Sequence, residues 1–421
     1  MAKGVDLLSS FKEKTSKIKD DGINRKAEFD VMYSTGFLAL DYLNGTIVHV
    51  NGNDREFTYN STGIVDGSSN VIIGRSGSGK STLAIQIVGN IARPFIQKDL
   101  PTGIIIDDIE KSLPIVRKNF LLGLTQEQID KYVDFRNSGI TTDNVLQRMK
   151  AIRDTKVQNR KDFEYDTGLF DTNGNRIYKM VPTIYLVDSL PMLLPKDLAE
   201  EDELAGSMSA SSIAKNNTML AKQIVQWCTE ANIIFFTINH ILDDIQMGFL
   251  PKPAQISGLK QGERMSGGKT TTYLANNLFR VDDSITLKEK DGFGIDGSKV
   301  TLTIIKSRTN ATKRSIPLIF NKSEGYFDDI LSLFQLLKDE GRIYGAGAYL
   351  YLKGMEDVKF SQKSFKDVLN SNSELQKVFA EEAFSILKGY LSETKNYKEN
   401  INSASSNILD MFNQFATEGI V

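Results

Sequence analysis

The spacing of apolar positions changes several times along this chain. In the first 30 residues, "VDLLSSFKEKTSKIKDD" predicts a lysine-rich amphipathic helix, followed by a polar linker. Alternation in "TIVHV" and "REFTYN", on either side of "NGND", predicts a hairpin. From about residue 70, short apolar runs alternate with helix-period segments. "NVIIG", "TGIIIDDIE", "KYVDFRN", "TIYLVDSL" and Ile233–Ile238 read as strands. "KSTLAIQIVGNIA", "SLPIVRKNFLLGL", "TTDNVLQRMKAIRDTK" and "SIAKNNTMLAKQIVQWCTEA" read as helices. "FEYDTGLFDTNGNRIYKMV" interrupts this alternation with a hairpin around Asn173–Asn175.

After a loop at about 241–268, "NNLFRVDD", "SITLKEK", "KVTLTIIKSR" and "RSIPLIF" follow as strands with no helix between them. Strand–helix alternation implies a mostly parallel α/β sheet, and the strand-only stretch implies an antiparallel extension of it. Residues 328–391 predict a small α+β domain: a helix ending at Gly341, a hairpin in "GAGAYLYLKG" and further helix in "SFKDVLNSNSELQKVFAEEAFSILKGYL". The expected divisions are therefore 1–30, a core at 31–327, 328–391, and a polar tail at 392–421.

Composition narrows the functional classes. The 421 residues are 40% apolar and 25% charged, enough for a large core, and the formal net charge is only −2. Any nucleic-acid contact must then come from local patches rather than from overall charge. Cys228 is the one cysteine, which excludes an internal disulfide and fits a reducing cytosol; its helical setting reads as a packing thiol. No apolar run approaches the ~18–20 residues of a membrane helix, and the N-terminus lacks a signal peptide's apolar block. The expected location is the cytoplasm of a bacterial or phage-infected cell.

"GRSGSGKST", Gly74 to Thr82, fits G-x-x-x-x-G-K-[ST], with an apolar strand leading in and a helix leading out. Gly74, Gly77 and Gly79 free the backbone N–H groups of Arg75, Ser76, Ser78 and their neighbours to turn around phosphate oxygens. The helix starting at Lys80, Ser81 and Thr82 adds its positive end. Lys80 would reach the β- and γ-phosphates, and the Ser81 hydroxyl would ligate Mg²⁺. This pattern predicts a nucleoside triphosphate site. Asp188 ends a buried strand about 100 residues later, where an acid holds Mg²⁺ through water, with Ser189 placed to orient that shell. In "GIIIDDIEKS", Glu110 is the favoured base for activating water, with Asp107 and Asp108 as competitors. Lys306 and Arg308 share one face at strand spacing and could serve a neighbouring subunit's site as transition-state cations. The strand Ile233–Ile238 then ends on Asn239 and His240, one of two histidines in the chain.

Taken in order, "YSTGFLALDYLNG", "GRSGSGKST", "IIIDDIE", "TIYLVDSL", "FFTINH", "MSGGKTTTYLANNLFRV" and "GAGAYLYLKG" with "SFKDVLNSNSELQKVF" resemble the RecA family of DNA recombinases along nearly the whole chain. Asn-His at the strand end and "IKSR" are similar to phage recombinases of the UvsX type. The resemblance implies a RecA-like P-loop ATPase core, an N-terminal helix that packs on the neighbouring protomer, and a small C-terminal domain. It implies ATP and Mg²⁺ as cofactors, single-stranded and homologous duplex DNA as partners, and self-assembly into a helical filament, with mediator and single-strand-binding proteins as further partners. His240 would be the sensor of the γ-phosphate, and Lys306 and Arg308 the cations crossing the protomer interface. DNA loops would lie at about 191–212 and 241–268. Lys196 flanks the first; Lys252, Lys260, Arg264 and Lys269 serve phosphates from the second, and Phe249 stacks against bases. The segments at 46–60 and 163–180 depart from the family's bacterial pattern, and Arg117 and Phe120 are the candidates to lie against adenine. The alternatives are a ring-forming replicative helicase on the same core, or a regulatory DNA-binding paralogue.

Overall fold

The computed structural model describes residues 31–52, 55–199, 208–243, 258–266, 272, 274–282, 285–288, 295–346 and 349–393. The expected N-terminal helix, the hairpin tip at 53–54, much of both expected DNA loops and the tail beyond 393 lie outside them, as do Phe249, Lys252 and Lys269.

The central sheet has eleven strands: β1 (Ser69–Gly74), β2 (Gly103–Asp108), β3 (Val133–Arg136), β4 (Thr183–Asp188), β5 (Ile233–Asp243), β6 (Glu263–Met265), β7 (Asn277–Val281), β8 (Ile285–Leu287), β9 (Gly297–Lys306), β10 (Arg314–Asn321) and β11 (Tyr326–Asp328). They run in the order β11-β10-β9-β7-β1-β5-β4-β2-β3, with β6 on β5 and β8 on β9. From β7 to β3 every pairing is parallel, and β9 to β11 extend the sheet antiparallel. The fold is thus mixed α/β around a large, mostly parallel sheet.

Strands buried on both faces need continuous apolar runs, and these have them. All six residues of β4 are buried, and successive side chains serve opposite cores. Ile184 and Leu186 pack with Leu83, Ile87 and Ile91 of α1 (Lys80–Gln97). Tyr185 and Val187 pack with Val145 and Met149 of α3 (Thr142–Gln158) and with Leu220, Ile224 and Cys228 of α4 (Met208–Ala231). The Cys228 thiol is the packing group the sequence suggested, and burial pushes its pKa up. Between β2 and β3 lies α2 (Ile115–Leu122).

One strand differs from expectation. Rather than ending at Ile238, β5 continues to Asp243. Asn239 and His240 still pair with Ile73 and Gly74 of β1, and Ile241–Asp243 pair with β6. The segment expected as a loop from 241 to 268 therefore has a two-stranded base.

After β11 come α5 (Asp329–Asp339), a three-stranded sheet at 343–360, α6 (Phe365–Ser371) and α7 (Ser373–Leu387). Phe334, Phe360 and Phe365 form a ring cluster, with centroids 4.6 Å and 5.2 Å apart at its closest pairs. Their apolar cluster is continuous with the one under α1 and the helix Leu38–Leu43. The hairpin expected at 46–60 forms, with its second strand running to Ser61, and it packs on the hairpin 164–180. Asn51 N donates to Thr172 O at 2.9 Å, Tyr59 Oη to Phe170 O at 3.0 Å, and the Phe57 and Phe170 rings meet edge-on. Ser392–Glu393 add a third strand, parallel to Thr46–Ile47. Among the described residues no helix is long and apolar enough to cross a membrane.

Candidate nucleotide site

The chain leaves β1 at Gly74, turns through Arg75–Gly79 and enters α1 at Lys80. Gly77 and Gly79 sit at φ +76° and +87°, which side chains rarely tolerate. At Gly74 the constraint is space: a Cβ would stand 2.5 Å from Val281 O on β7. Lys80 is buried, and its Nζ donates to Arg75 O at 2.7 Å, so the ammonium is folded across the loop. Burial lowers its pKa, while Glu110 and Asp188 act in the opposite direction. The Arg75 guanidinium turns outward and grips Asp243 at 2.7 and 3.2 Å, linking the loop to the end of β5.

The three acids at the end of β2 have three different settings. Asp107 is fully buried and accepts from Arg148 and Tyr185, each at 2.6 Å. Asp108 accepts from the buried Lys118 ammonium. Glu110 alone of the three faces the P-loop cavity. Its Oε1 accepts from Ser189 Oγ and lies 2.6 Å from His240 Nε2. Burial favours the protonated acid, but Ser189, His240 and Lys80 outweigh it and hold the Glu110 pKa below the ordinary value. An ionised carboxylate only accepts, so His240 Nε2 carries the proton. The sequence assigned Ser189 to the metal shell; in the structure its hydroxyl belongs to Glu110.

Asp188 ends β4 beside Ser81, whose hydroxyl acts to lower its pKa. Burial raises the Asp188 pKa to about 6, with Glu110 and Asp108 adding to the rise. Its Oδ1 is buried with no hydrogen-bond partner, and Ser112 Oγ reaches Oδ2 only at 3.4 Å. A hydroxyl beside an orphaned carboxylate oxygen is a donor set that fits a hard divalent cation such as Mg²⁺.

Ser76–Thr82, Glu110, Ser112 and His240 line one side of a cavity of about 460 Å³. Sequence reasoning missed its other wall: Gly297, Ser298 and Val300 of β9, Phe320 of β10, Lys322 and Phe327. Gln86 bonds the Phe327 main chain in both directions, at 2.9 and 3.1 Å, which seats that ring against Gly79. The only sequence signal for this wall was an aromatic at the end of "RSIPLIF" before a polar turn. Arg117 and Phe120 do not line the cavity. They stack on each other at 5.3 Å, and Phe120 meets Tyr326 at 6.2 Å behind the wall. Of the aromatics, Phe320 and Phe327 line the cavity, while Arg117 and Phe120, the residues expected against adenine, do not.

Lys306 and Arg308 are also absent from this lining. β9 last touches the cavity at Val300 and reaches Lys306 six residues later, about 20 Å of extended chain. There Lys306 Nζ donates to Thr272 O and Arg308 Nη2 to Leu274 O. Lys260, just before β6, and Arg264, on it, are exposed, with Lys260 Nζ 3.6 Å from Asp282. Between them Glu263 is buried and grips Arg280 at 2.7 and 3.0 Å. Lys196 is exposed, and its backbone N–H is held by Asp143 at the start of α3.

No protein-family model matches the chain, and no curated protein matches it in sequence. The functional reading therefore stands on the cavity.

Proposed function

We propose that the chain is an ATP-dependent homologous recombinase with a RecA-like P-loop ATPase core. It assembles on single-stranded DNA as a helical filament, pairs that strand with a homologous duplex and exchanges strands. The observation that carries this reading is the contact between Glu110 and His240 inside the P-loop cavity. It joins the residue best set to activate water to the strand that runs on to Asp243 and pairs there with β6, where Lys260 and Arg264 stand exposed just before and on the strand.

In this proposal the triphosphate lies on the backbone of residues 74–80, with the Lys80 ammonium released from Arg75 O to the phosphates. Ser81 and Asp188 would hold Mg²⁺, which neutralises charge on the β- and γ-phosphates when bound. Glu110 takes the proton of the attacking water, and its occupied Oε1 leaves Oε2 for that task. His240 reports on the same region: a change at the γ-phosphate alters its bond to Glu110, and β5 carries the change to the DNA-facing turn. Lys306 and Arg308 do not line their own cavity, and in this proposal they act at a neighbour's.

Electron microscopy on single-stranded DNA with a slowly hydrolysed ATP analogue tests the assembly, and a joint-molecule assay tests the reaction. Continuous helical filaments and joint molecules are expected. Discrete rings that unwind forked DNA would overturn the reading in favour of a helicase. DNA binding with no ATP turnover would favour a regulatory paralogue.

A further inference from the structure

The turn between β10 and β11 is held more firmly than a surface turn requires. Asn321 is buried, and its Oδ1 accepts from the N–H groups of Ser323 and Glu324 at 3.1 and 3.3 Å. Gly325 N–H donates to Asn321 O at 2.6 Å, and Lys322 N–H to Asp296 O at 2.9 Å. Gly325 takes φ +81°, with Arg117 packed so closely that a Cβ there would lie 2.4 Å from its Nη1. Arg117 is in turn stacked on Phe120, and Phe120 on Tyr326. The turn is thus braced by its own asparagine, by the strand-connecting segment at Asp296 and by α2.

This braced turn carries Lys322, which lines the same cavity as the P-loop. Its ammonium makes no ion pair among the described residues. The nearby Lys366, by contrast, is committed to Asp328 at 2.7 Å and Glu324 at 3.5 Å. Lys80 and Glu110 carry opposite formal charges on the lining, so Lys322 tips the cavity positive. A cation with no ion pair among the described residues, on a braced backbone across from a phosphate cradle, is placed to meet the anion a nucleotide brings.

We infer that Lys322 is a second phosphate-contacting cation for the nucleoside triphosphate, supplied by the same protomer as the P-loop. This rests on the reading of the cavity as a nucleotide site. Lys322 also borders an adjoining open pocket of about 750 Å³ with Lys288 and Lys363, neither of which lines the nucleotide cavity. Lys288 is therefore a control of like charge in the same neighbourhood.

The test is calorimetric titration of the full chain with MgATP, without DNA, over a series of salt concentrations. Lys322→Gln is expected to weaken binding about tenfold, roughly 1.4 kcal/mol, and to flatten its salt dependence. Lys322→Arg should stay within about threefold of the parent and Lys288→Gln within about twofold. The side chain is exposed, so the unfolding midpoint should not move. Parent-like binding by Lys322→Gln, or an equal loss in Lys288→Gln, would overturn the inference. Titration of Lys80→Ala in parallel separates the two levels. Should the parent itself fail to bind MgATP, the cavity reading falls. Should the parent bind, Lys80→Ala fail and Lys322→Gln match the parent, only the role of Lys322 falls.

Discussion

Which acid at the end of β2 activates water can be decided by three substitutions with different expected signatures. Glu110→Gln keeps an oxygen that can accept from Ser189 and His240 and removes only the charge and the basicity. General-base removal costs about 10²- to 10⁴-fold in rate, or roughly 3–5 kcal/mol of barrier. Nucleotide affinity should hold or tighten slightly, because one negative charge leaves the cavity. Asp107→Asn and Asp108→Asn act on stability instead. Each leaves a cation without its charged partner, Arg148 in the first and the buried Lys118 in the second. Breaking such a pair costs on the order of 3–5 kcal/mol. The assays are DNA-stimulated ATP hydrolysis per folded molecule, calorimetric MgATP binding and urea unfolding. Turnover by Glu110→Gln within tenfold of the parent, together with a stable but inactive Asp108→Asn, would refute the assignment.

Arg308→Ala and Lys80→Ala should each be inactive alone, yet a random equal mixture should recover about a quarter of parental turnover, because that share of interfaces pairs an intact P-loop with an intact arginine; a mixture that stays inactive counts against a trans cation. His240→Ala should erase the difference in single-strand affinity between nucleotide-free and analogue-bound protein, and a preserved difference in a binding titration would remove His240 from that role. Burial raises Asp329 to about 7 and Asp41 to about 6, so the folded chain keeps protons that the unfolded chain has released. Their contribution is full below about pH 4 and is lost as pH rises toward 7, each retained proton costing at most about 1.4 kcal/mol for every pH step of one. Asp329→Asn should therefore gain on the parent in urea midpoint between pH 5 and pH 8, and an unchanged gap would contradict the burial argument.

The parallel core was legible because its strands are too apolar to face water. "TIYLVD" and "IIFFTI" are bounded by turn and helix signals that admit few other readings. The P-loop was legible because its glycines answer a backbone need that the phosphates impose. Glu110 could be favoured but not separated from Asp107 and Asp108, because the distinction lies in Tyr185, Arg148 and Lys118, which approach from other elements. The second wall of the cavity was invisible for a related reason. Phe320, Lys322 and Phe327 come from antiparallel strands more than 200 residues beyond the P-loop, and only the order β9-β7-β1 brings them across it. The end of β5 was misjudged because polar residues usually mark a strand's exit. Here Asn239 is buried and spends its amide on Ser266 O, which a local reading could not foresee.

The pairing of Thr46–Ile47 with Ser392–Glu393 bears on how the protein comes off the ribosome. An early hairpin and the last described strand are bound to each other by these backbone bonds, and Leu38 N–H donates to Asp329 at 3.2 Å. Closing a loop of this length costs about 5 kcal/mol in chain entropy beyond a constant. The helix Leu38–Leu43 must wait for partners around Asp329, synthesised hundreds of residues later, with part of its apolar face uncovered, whereas the hairpin after it meets the hairpin 164–180 sooner. The parallel core can assemble while translation continues, but its seam is stitched only after residue 393 has been made. A nascent chain stalled before residue 329 would present that face to chaperones, and one released after residue 393 would not.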